Sequence, residues 1–592
     1  MTLPPLTPSA TSLPTLSPES HPYPSLAIIG SRRLTGANIY SARPGAVLEF
    51  IVAPQECQAR LEGWHHAMQE ILNRIGWQRE TIAVRCNTTT GRGGTFLTAP
   101  PDGLLAATDV NEQAWLAMEQ SAASNTPDFA DIAARLRVSI QHERDPALTA
   151  IIAAAHARNL TVAVDDDAVI VGSGDGSRCW PIADLPDISG APWSVLHDIP
   201  IALVTGSNGK TTTTRLLAAM LRHSGYVPGV SCTDGVWVGD ELVVQGDYSG
   251  PAGARRVLQN VRATAAVLET ARGGILRRGL AVERAQVAIV TNIADDHLGE
   301  YGIDDLHSLG ETKLVVARVV PPTGHVVLNW DDDTLRSLSP SVIAKTVWFS
   351  IAGTTASIAD VLSSGGDACL LDEHTLVAFI DGQRHPLVRA DELPLSLGGA
   401  MRYNIANALA ASAAAIALGV SPEHVRDTLR HFGASAADNP GRLATFNLHG
   451  ARLLVDFVHN PDGWHAVTDG LAHIPGRRVA VVGQAGDRDN RALHELAVAV
   501  WRLAPELLIL KEMPSYLRGR PLGETSTILA AEFQALGAPA SRVLRAPDEL
   551  TAVDLVVANA RPGDLVIVGV HDDFDAAVDR LRDQGAVRGT WH

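Results

Sequence analysis

The stretch IALVTGSNGKTTTTRLLAAMLRHSG, Ile201 to Gly225, decides how the chain is read. An apolar, strand-like run ends at Thr205, a turn with two glycines and a lysine follows, and an amphipathic helix begins at once. That order aims backbone N–H groups and the positive end of a helix at a common point, the arrangement that binds phosphate. The familiar G-x-x-x-x-G-K-[ST] loop requires glycine at position 204, but Val204 stands there and the first glycine is Gly206, so this is a shorter version of the cradle. Gly206, Asn208, Gly209, Lys210, Thr211 and Thr212 form it, with Lys210 reaching the terminal phosphates and Thr211 holding magnesium. The bland alternative is a strand-to-helix turn with a chance lysine; the strand–turn–helix context argues for the loop.

Outward from this loop, apolar runs (AAVLET, VAIVTN, HVVLNW) alternate with helix-length segments, the pattern of a parallel sheet wrapped by helices. Ligands of such sheets sit beyond the carboxyl ends of the strands. Two strand ends there carry chemistry: Glu269 closes AAVLET, and Asn292, Asp296 and His297 follow VAIVT. A carboxylate and an imidazole beside a phosphate loop suit a divalent cation. Taken singly, Glu269 reads equally well as a helix cap and His297 as a core histidine.

The alternation resumes after residue 436 with ARLLVDFVHN, RVAVVGQAGD, ELLILKE and DLVIVGV. The expected organisation is a disordered Pro/Ser/Thr-rich tail over 1–24, an N-terminal α+β domain over 25–130, a linker over 131–198, a central α/β nucleotide-binding domain over 199–436 and a smaller Rossmann-like α/β domain over 437–592. With 592 residues, 46% hydrophobic and 19% charged, the composition is globular, and no apolar run reaches bilayer length. The formal charge of −17 argues against nucleic acid or an anionic membrane as partner. Cys57, Cys86, Cys179, Cys232 and Cys369 show no C-x-x-C pair, which predicts neither a disulfide framework nor a zinc site and suits a reducing cytoplasm.

In this order and at these intervals, TGSNGKTT, LET, TNIADDH, NWDDD, RYNIANALAA, GR, DFVHNP and GDRD resemble the Mur ligase family, across residues 199 to 592. TDGVWVGDELVVQGDYSGPAGARRVL, LETARGGILRRGL and LRGRPLGE are similar to the ligase half of the cyanophycin synthetases, and RRLTGANIYSARPGAVLEF to their opening segment. Those enzymes also carry an ATP-grasp module between the two regions. Here residues 131–198 hold only AAAHARNLTVAVDDDAVIVGSGDG, which looks like a remnant. The resemblance therefore implies one active centre, able to form one kind of isopeptide bond.

It further implies ATP and Mg2+, an acyl-phosphate made on an aspartate-type acceptor, and attack by a basic amino-acid donor, in a homo-oligomer. Metal ligation falls to Thr211, Glu269 and His297. Lys313 stands where the family often has a carbamylated lysine, or is an ordinary surface lysine. Nucleotide contacts fall to Asn292, Asn407, Asn329 with Asp331, Arg442, Asp456, His459 and Asn460, although NWDDD and DFVHNP also read as turns after strands. For the acceptor the candidates are Thr233, Asp234, Asp247, Ser249, Arg272, Arg277 and Arg278. For the donor they are Asp487 and Asp489 with Arg488, in a turn that alternatively only joins strand to helix. Two other readings remain at this stage: a nucleotide-binding scaffold without catalysis, and a ligase of the cell-wall or folylpolyglutamate type.

Overall fold

The computed structural model describes residues 27–295, 298–353, 356–435 and 437–589. The expected tail over 1–24, Asp296 and His297 lie outside the described residues. The described residues divide into two compact units, one within 27–32, 46–98 and 105–142 and the other within 33–45, 99–104 and 143–589.

The first unit is built on a four-stranded sheet in the order Ala27–Leu34, Gly45–Ile51, Arg92–Thr98, Ile82–Cys86, with helices that include Cys57–Ile75. Trp64, Met68, Phe50, Phe96 and Trp115 fill its core, and the rings of Phe50 and Trp115 stack 4.6 Å apart. A buried indole must find an acceptor, and Trp64 Nε1 donates to Asn111 Oδ1 at 3.0 Å. Cys57, at the start of that helix, and Cys86, at the end of the strand Ile82–Cys86, are joined as a disulfide with Cα atoms 6.8 Å apart. This corrects the expectation of no disulfide: the two cysteines are 29 residues apart, and only the packing of helix on hairpin brings them together.

The second unit holds three sheets. The largest has eleven strands in the order Glu241–Gln245, Gly235–Val238, Pro228–Cys232, Ala265–Glu269, Ile201–Thr205, Val287–Val290, His325–Asn329, Lys345–Ser350, Ala368–Asp372, Thr375–Ile380, Gln383–Arg389. From Pro228–Cys232 to Ala368–Asp372 neighbours run parallel, and antiparallel strands close both edges. The central strand Ile201–Thr205 is buried at every residue, as a strand covered by helices on both faces must be. The second sheet has seven strands, Val543–Ala546, Leu507–Lys511, Arg478–Val482, Leu565–Gly569, Ala451–Asp456, Ala444–Leu448, Val587–Arg588, the first five parallel. A three-stranded sheet of Val162–Val164, Ala168–Val171 and Arg178–Pro181 completes the unit. The α/β reading, with a parallel central sheet, a second Rossmann-like sheet and an N-terminal α+β unit, agrees with this architecture. No helix among the described residues is long and apolar enough to cross a membrane.

Candidate active site

The loop between Thr205 and Lys210 has a shape that only glycine permits at two places. Gly206 has φ +148° and Gly209 has φ +81°; a methyl on the first would strike Thr291 Oγ1 and on the second Asn407 Oδ1. The rest of the loop is tied to the neighbouring strand end. Asn292 Oδ1 accepts from Asn208 N (2.9 Å), its Nδ2 donates to Asn208 O (3.2 Å), and Thr291 Oγ1 donates to the same oxygen (2.6 Å). Ser207 Oγ donates to Ala294 O at 2.9 Å. Asn292 thus shapes the loop through both ends of its amide. Lys210 Nζ folds over the loop, donating to the carbonyls of Gly206 (3.1 Å) and Ser207 (3.0 Å).

Glu269 ends its strand beside this loop and is 1% exposed. Thr211 Oγ1 donates to its Oε2 at 2.9 Å, and Thr233 Oγ1 to its Oε1 at 3.0 Å. Burial raises the carboxyl above its usual range, while the Lys210 charge and the Thr211 and Thr233 hydroxyls draw it back. Among the described residues no three His, Cys, Asp or Glu side chains are grouped to hold a metal. The donors available are instead a hydroxyl and a carboxylate, hard oxygens of the kind that bind magnesium beside phosphates.

The second sheet reaches the same loop. Asn460 Nδ2 donates to Asn208 Oδ1 (2.9 Å), Asn208 Nδ2 to Asp462 Oδ2 (2.8 Å), and Asn439 Nδ2 to Thr212 Oγ1 (3.1 Å). Arg442 lies over the Phe457 ring, 4.3 Å from its centroid, and Leu443 N donates to Asp456 Oδ2 at 2.7 Å. Burial pushes the Asp456 carboxyl up to about 6, against the pull of the Arg442 charge. The His459 ring lies 5.3 Å from that of Phe457.

The remaining candidates lie on neighbouring elements, most of them with partners of their own. Asn329 bonds Thr291 O and Asp331 N, and Asp331 accepts from Ser350 and Ile351. Lys313 is buried at the end of helix Leu306–Lys313. Buried Arg272 pairs with Glu300, Asp234 with Arg215, and Asp247 accepts from Ser249. Arg277 Nε donates to Gly273 O, and Arg278 is exposed. Asp487 pairs with Arg518, Asp489 caps helix Asn490–Trp501, and Arg488 lends its carbonyl to Arg520.

Reading the sequence missed Asn439, Asp462 and the turn at 571–573. That turn follows strand Leu565–Gly569, so the strand-end argument that found Glu269 points to it as well. It is pinned by Glu549, which pairs with buried Lys511 and accepts from the N–H groups of His571 (2.6 Å), Asp572 (3.2 Å) and Asp573 (3.0 Å). Asp572 Oδ1 is buried without a hydrogen bond, the Ser515 hydroxyl reaches the carboxylate, and burial with the Glu549 charge raises it. His571 is buried, and desolvation holds its imidazole well below its usual pKa.

The segments that carry these residues match known protein families. Residues 204–415 match the Mur ligase middle domain and residues 441–569 the Mur ligase, glutamate ligase domain. The chain is 39% identical over 394 residues to the cyanophycin synthetase of Nostoc sp. (strain PCC 7120 / SAG 25.82 / UTEX 2576), covering 66% of this chain and 43% of that protein. It therefore matches less than half the length of that relative. It is 27% identical over 400 residues to the UDP-N-acetylmuramoyl-L-alanyl-D-glutamate–2,6-diaminopimelate ligase of Geobacter metallireducens, covering 64% of this chain and 74% of that one. Among solved structures, E. coli FolC in complex with ADP is similar with a TM-score of 0.48 and 20% identity, over 65% of this chain and 89% of that one. With both ligase domains matched in order and the phosphate loop, Glu269 and the 456–462 segment built around one point, the chain belongs to the Mur ligase family and is cyanophycin synthetase-like across those domains.

Proposed function

We propose that the chain is an ATP-dependent ligase that joins a carboxylate, of the aspartate type, to an amino-acid donor with a basic side chain, releasing ADP and phosphate. The observation that carries this reading is the convergence of Lys210, Thr211 and Glu269 on one glycine loop that Asn460 and Asp462 grip from the other sheet. ATP, when bound, supplies the phosphoryl group that converts the acceptor carboxylate into an acyl-phosphate, from which an amine displaces phosphate.

The chain's own residues make that chemistry feasible. The N–H groups opening helix Lys210–His223 would face the phosphates, and Lys210, which donates to the carbonyls of Gly206 and Ser207, would turn to the terminal oxygens. Thr211 and Glu269 are the oxygen donors that would hold magnesium, with His297 joining them by family resemblance; the ion would supply positive charge beside the phosphoryl oxygens. By family resemblance Arg442, Asp456 and Asn407 would contact the nucleotide, and Asn407 Oδ1 already stands against Gly209 of the loop. The contacts from Asn208 to Asn460 and Asp462 join the loops of the two sheets, which would shield an acyl-phosphate from water.

For the donor, Asp487 and Asp489 already serve Arg518 and a helix end, so the carboxylate that suits a basic side chain is Asp572, whose Oδ1 has no partner. Tyr516, whose phenol burial raises, lies within electrostatic reach of both Asp572 and Asp247, one from each large sheet's loops.

The test is ADP release measured over a matrix of acidic acceptors and amino-acid donors, with mass analysis of the products. Release that requires one acid and one amine together, with an amide as product, supports the reading. Nucleotide binding with no stimulation by any pair would mark a scaffold.

A further inference from the structure

The helix that leaves the phosphate loop carries an arginine on the face of Thr211. Arg215 stands four residues on, one turn along the same side. Its side chain is 10% exposed, its guanidinium lies 5.4 Å from the centre of the Trp237 ring, and its Nη2 donates to Asp234 Oδ2 at 3.0 Å. Burying a guanidinium is costly, and a well-packed apolar side chain would serve stability at least as well. The pair therefore calls for a reason other than packing.

The reason is next to it in the chain. Asp234 follows Thr233, in the turn between strands Pro228–Cys232 and Gly235–Val238. Thr233 donates to Glu269 twice, from its hydroxyl to Oε1 at 3.0 Å and from its N–H to Oε2 at 3.4 Å. The helix thus holds Glu269 by two arms, directly through Thr211 on Oε2 and indirectly through Arg215, Asp234 and the turn that presents Thr233 on Oε1. Two arms on different oxygens set the plane of the carboxylate as well as its position.

We propose that Arg215 and Asp234 are positioning residues for the carboxylate that holds the divalent cation, acting through Thr233. This rests on the reading that Thr211 and Glu269 are the cation's ligands. Groups that orient metal ligands typically change metal affinity about 10- to 100-fold when removed.

The experiment titrates Mn2+ into the full chain saturated with ADP and follows free Mn2+ by electron paramagnetic resonance. In parallel, ADP binding is measured in EDTA. Asp234→Asn, which keeps the shape of the side chain, and Arg215→Ala should each weaken Mn2+ binding about ten-fold or more. The double variant should be no worse than either single one, Arg215→Lys should recover part of the loss, and ADP affinity in EDTA should stay at the wild-type value. Unchanged Mn2+ affinity in Asp234→Asn, or an equal loss of ADP binding in EDTA, overturns the positioning role alone. A wild-type chain that binds ADP but no Mn2+ overturns the cation site and this inference together.

Discussion

Asn208, at the tip of the phosphate loop, accepts a hydrogen bond from Asn460 at 2.9 Å, although 252 residues separate them. The same Asn460 uses its carbonyl oxygen to cap helix Pro461–Leu471 through Gly463 N (2.8 Å), so one amide both starts a helix and grips the loop of the other sheet. Asn208 returns the contact through Asp462 at 2.8 Å.

Removing this clasp with Asn208→Ala deletes one neutral hydrogen bond and one to a carboxylate, together about 2 to 4 kcal/mol where both are made. If closure of the two sheets is part of turnover, kcat/KM for ATP falls about 30-fold or more, while the loop itself keeps its ties to Thr291 and Asn292. Steady-state ADP release against ATP concentration measures it. A change of less than about two-fold would mean that the clasp plays no part in the reaction.

Asp572→Asn removes a charge while keeping the shape of the side chain. A hydrogen bond to a charged group contributes about 1.5 to 3 kcal/mol, so kcat/KM for a basic donor falls about 10- to 100-fold while that for a neutral donor is nearly unchanged. Competition between a basic donor and an isosteric neutral one, read by product mass, gives the ratio directly. An unchanged ratio would remove Asp572 from donor recognition.

Asp456 links stability to pH. Its carboxyl is pushed by burial from an ordinary value of 3.8 to about 6. The folded state holds the proton more tightly than the unfolded one, so this group's contribution is fully present below pH 3.8 and is lost as pH rises through about 6. The two-unit shift corresponds to about 3 kcal/mol between those limits. Asp456→Asn removes that loss. Melting curves between pH 4 and 7 should show the variant gaining on the wild type as pH rises, and parallel curves would contradict the shift.

The Cys57–Cys86 bond closes a loop with a sequence separation of 29 residues, which in a chain-entropy account contributes about 3 to 4 kcal/mol. Reduction should lower the unfolding midpoint of the first unit by several degrees and leave nucleotide binding by the second unit as it was. Thermal unfolding with and without a reductant, alongside Cys57→Ser, checks both parts.

The parallel sheets and the phosphate loop are legible in the sequence because their signals are local: an apolar run, two glycines and a helical period within 25 residues of chain. Glu269 is legible because position at a strand end is itself a local property. What stayed hidden is set by contacts across long separations. Asn439 on Thr212 spans 227 residues and Asn208 on Asp462 spans 254, and no spacing rule announces either. The antiparallel hairpins that widen the central sheet to eleven strands were likewise not distinguishable from connecting segments. Asp489 shows the opposite difficulty, since a short acid before a helix has one appearance whether it caps the helix or awaits a substrate. Asp572 was open to the strand-end argument, but the sequence does not show that Glu549 and Lys511 hold its turn in place.

The most direct measurement follows an oxygen atom. With the acceptor carboxylate labelled with 18O, phosphorylation of that carboxylate followed by amine attack transfers one labelled oxygen to the released inorganic phosphate, alongside ADP. One 18O per phosphate formed is expected, with no product or labelled phosphate from Lys210→Ala. Amide formation with unlabelled phosphate, or with AMP and pyrophosphate as the nucleotide products, would contradict that route.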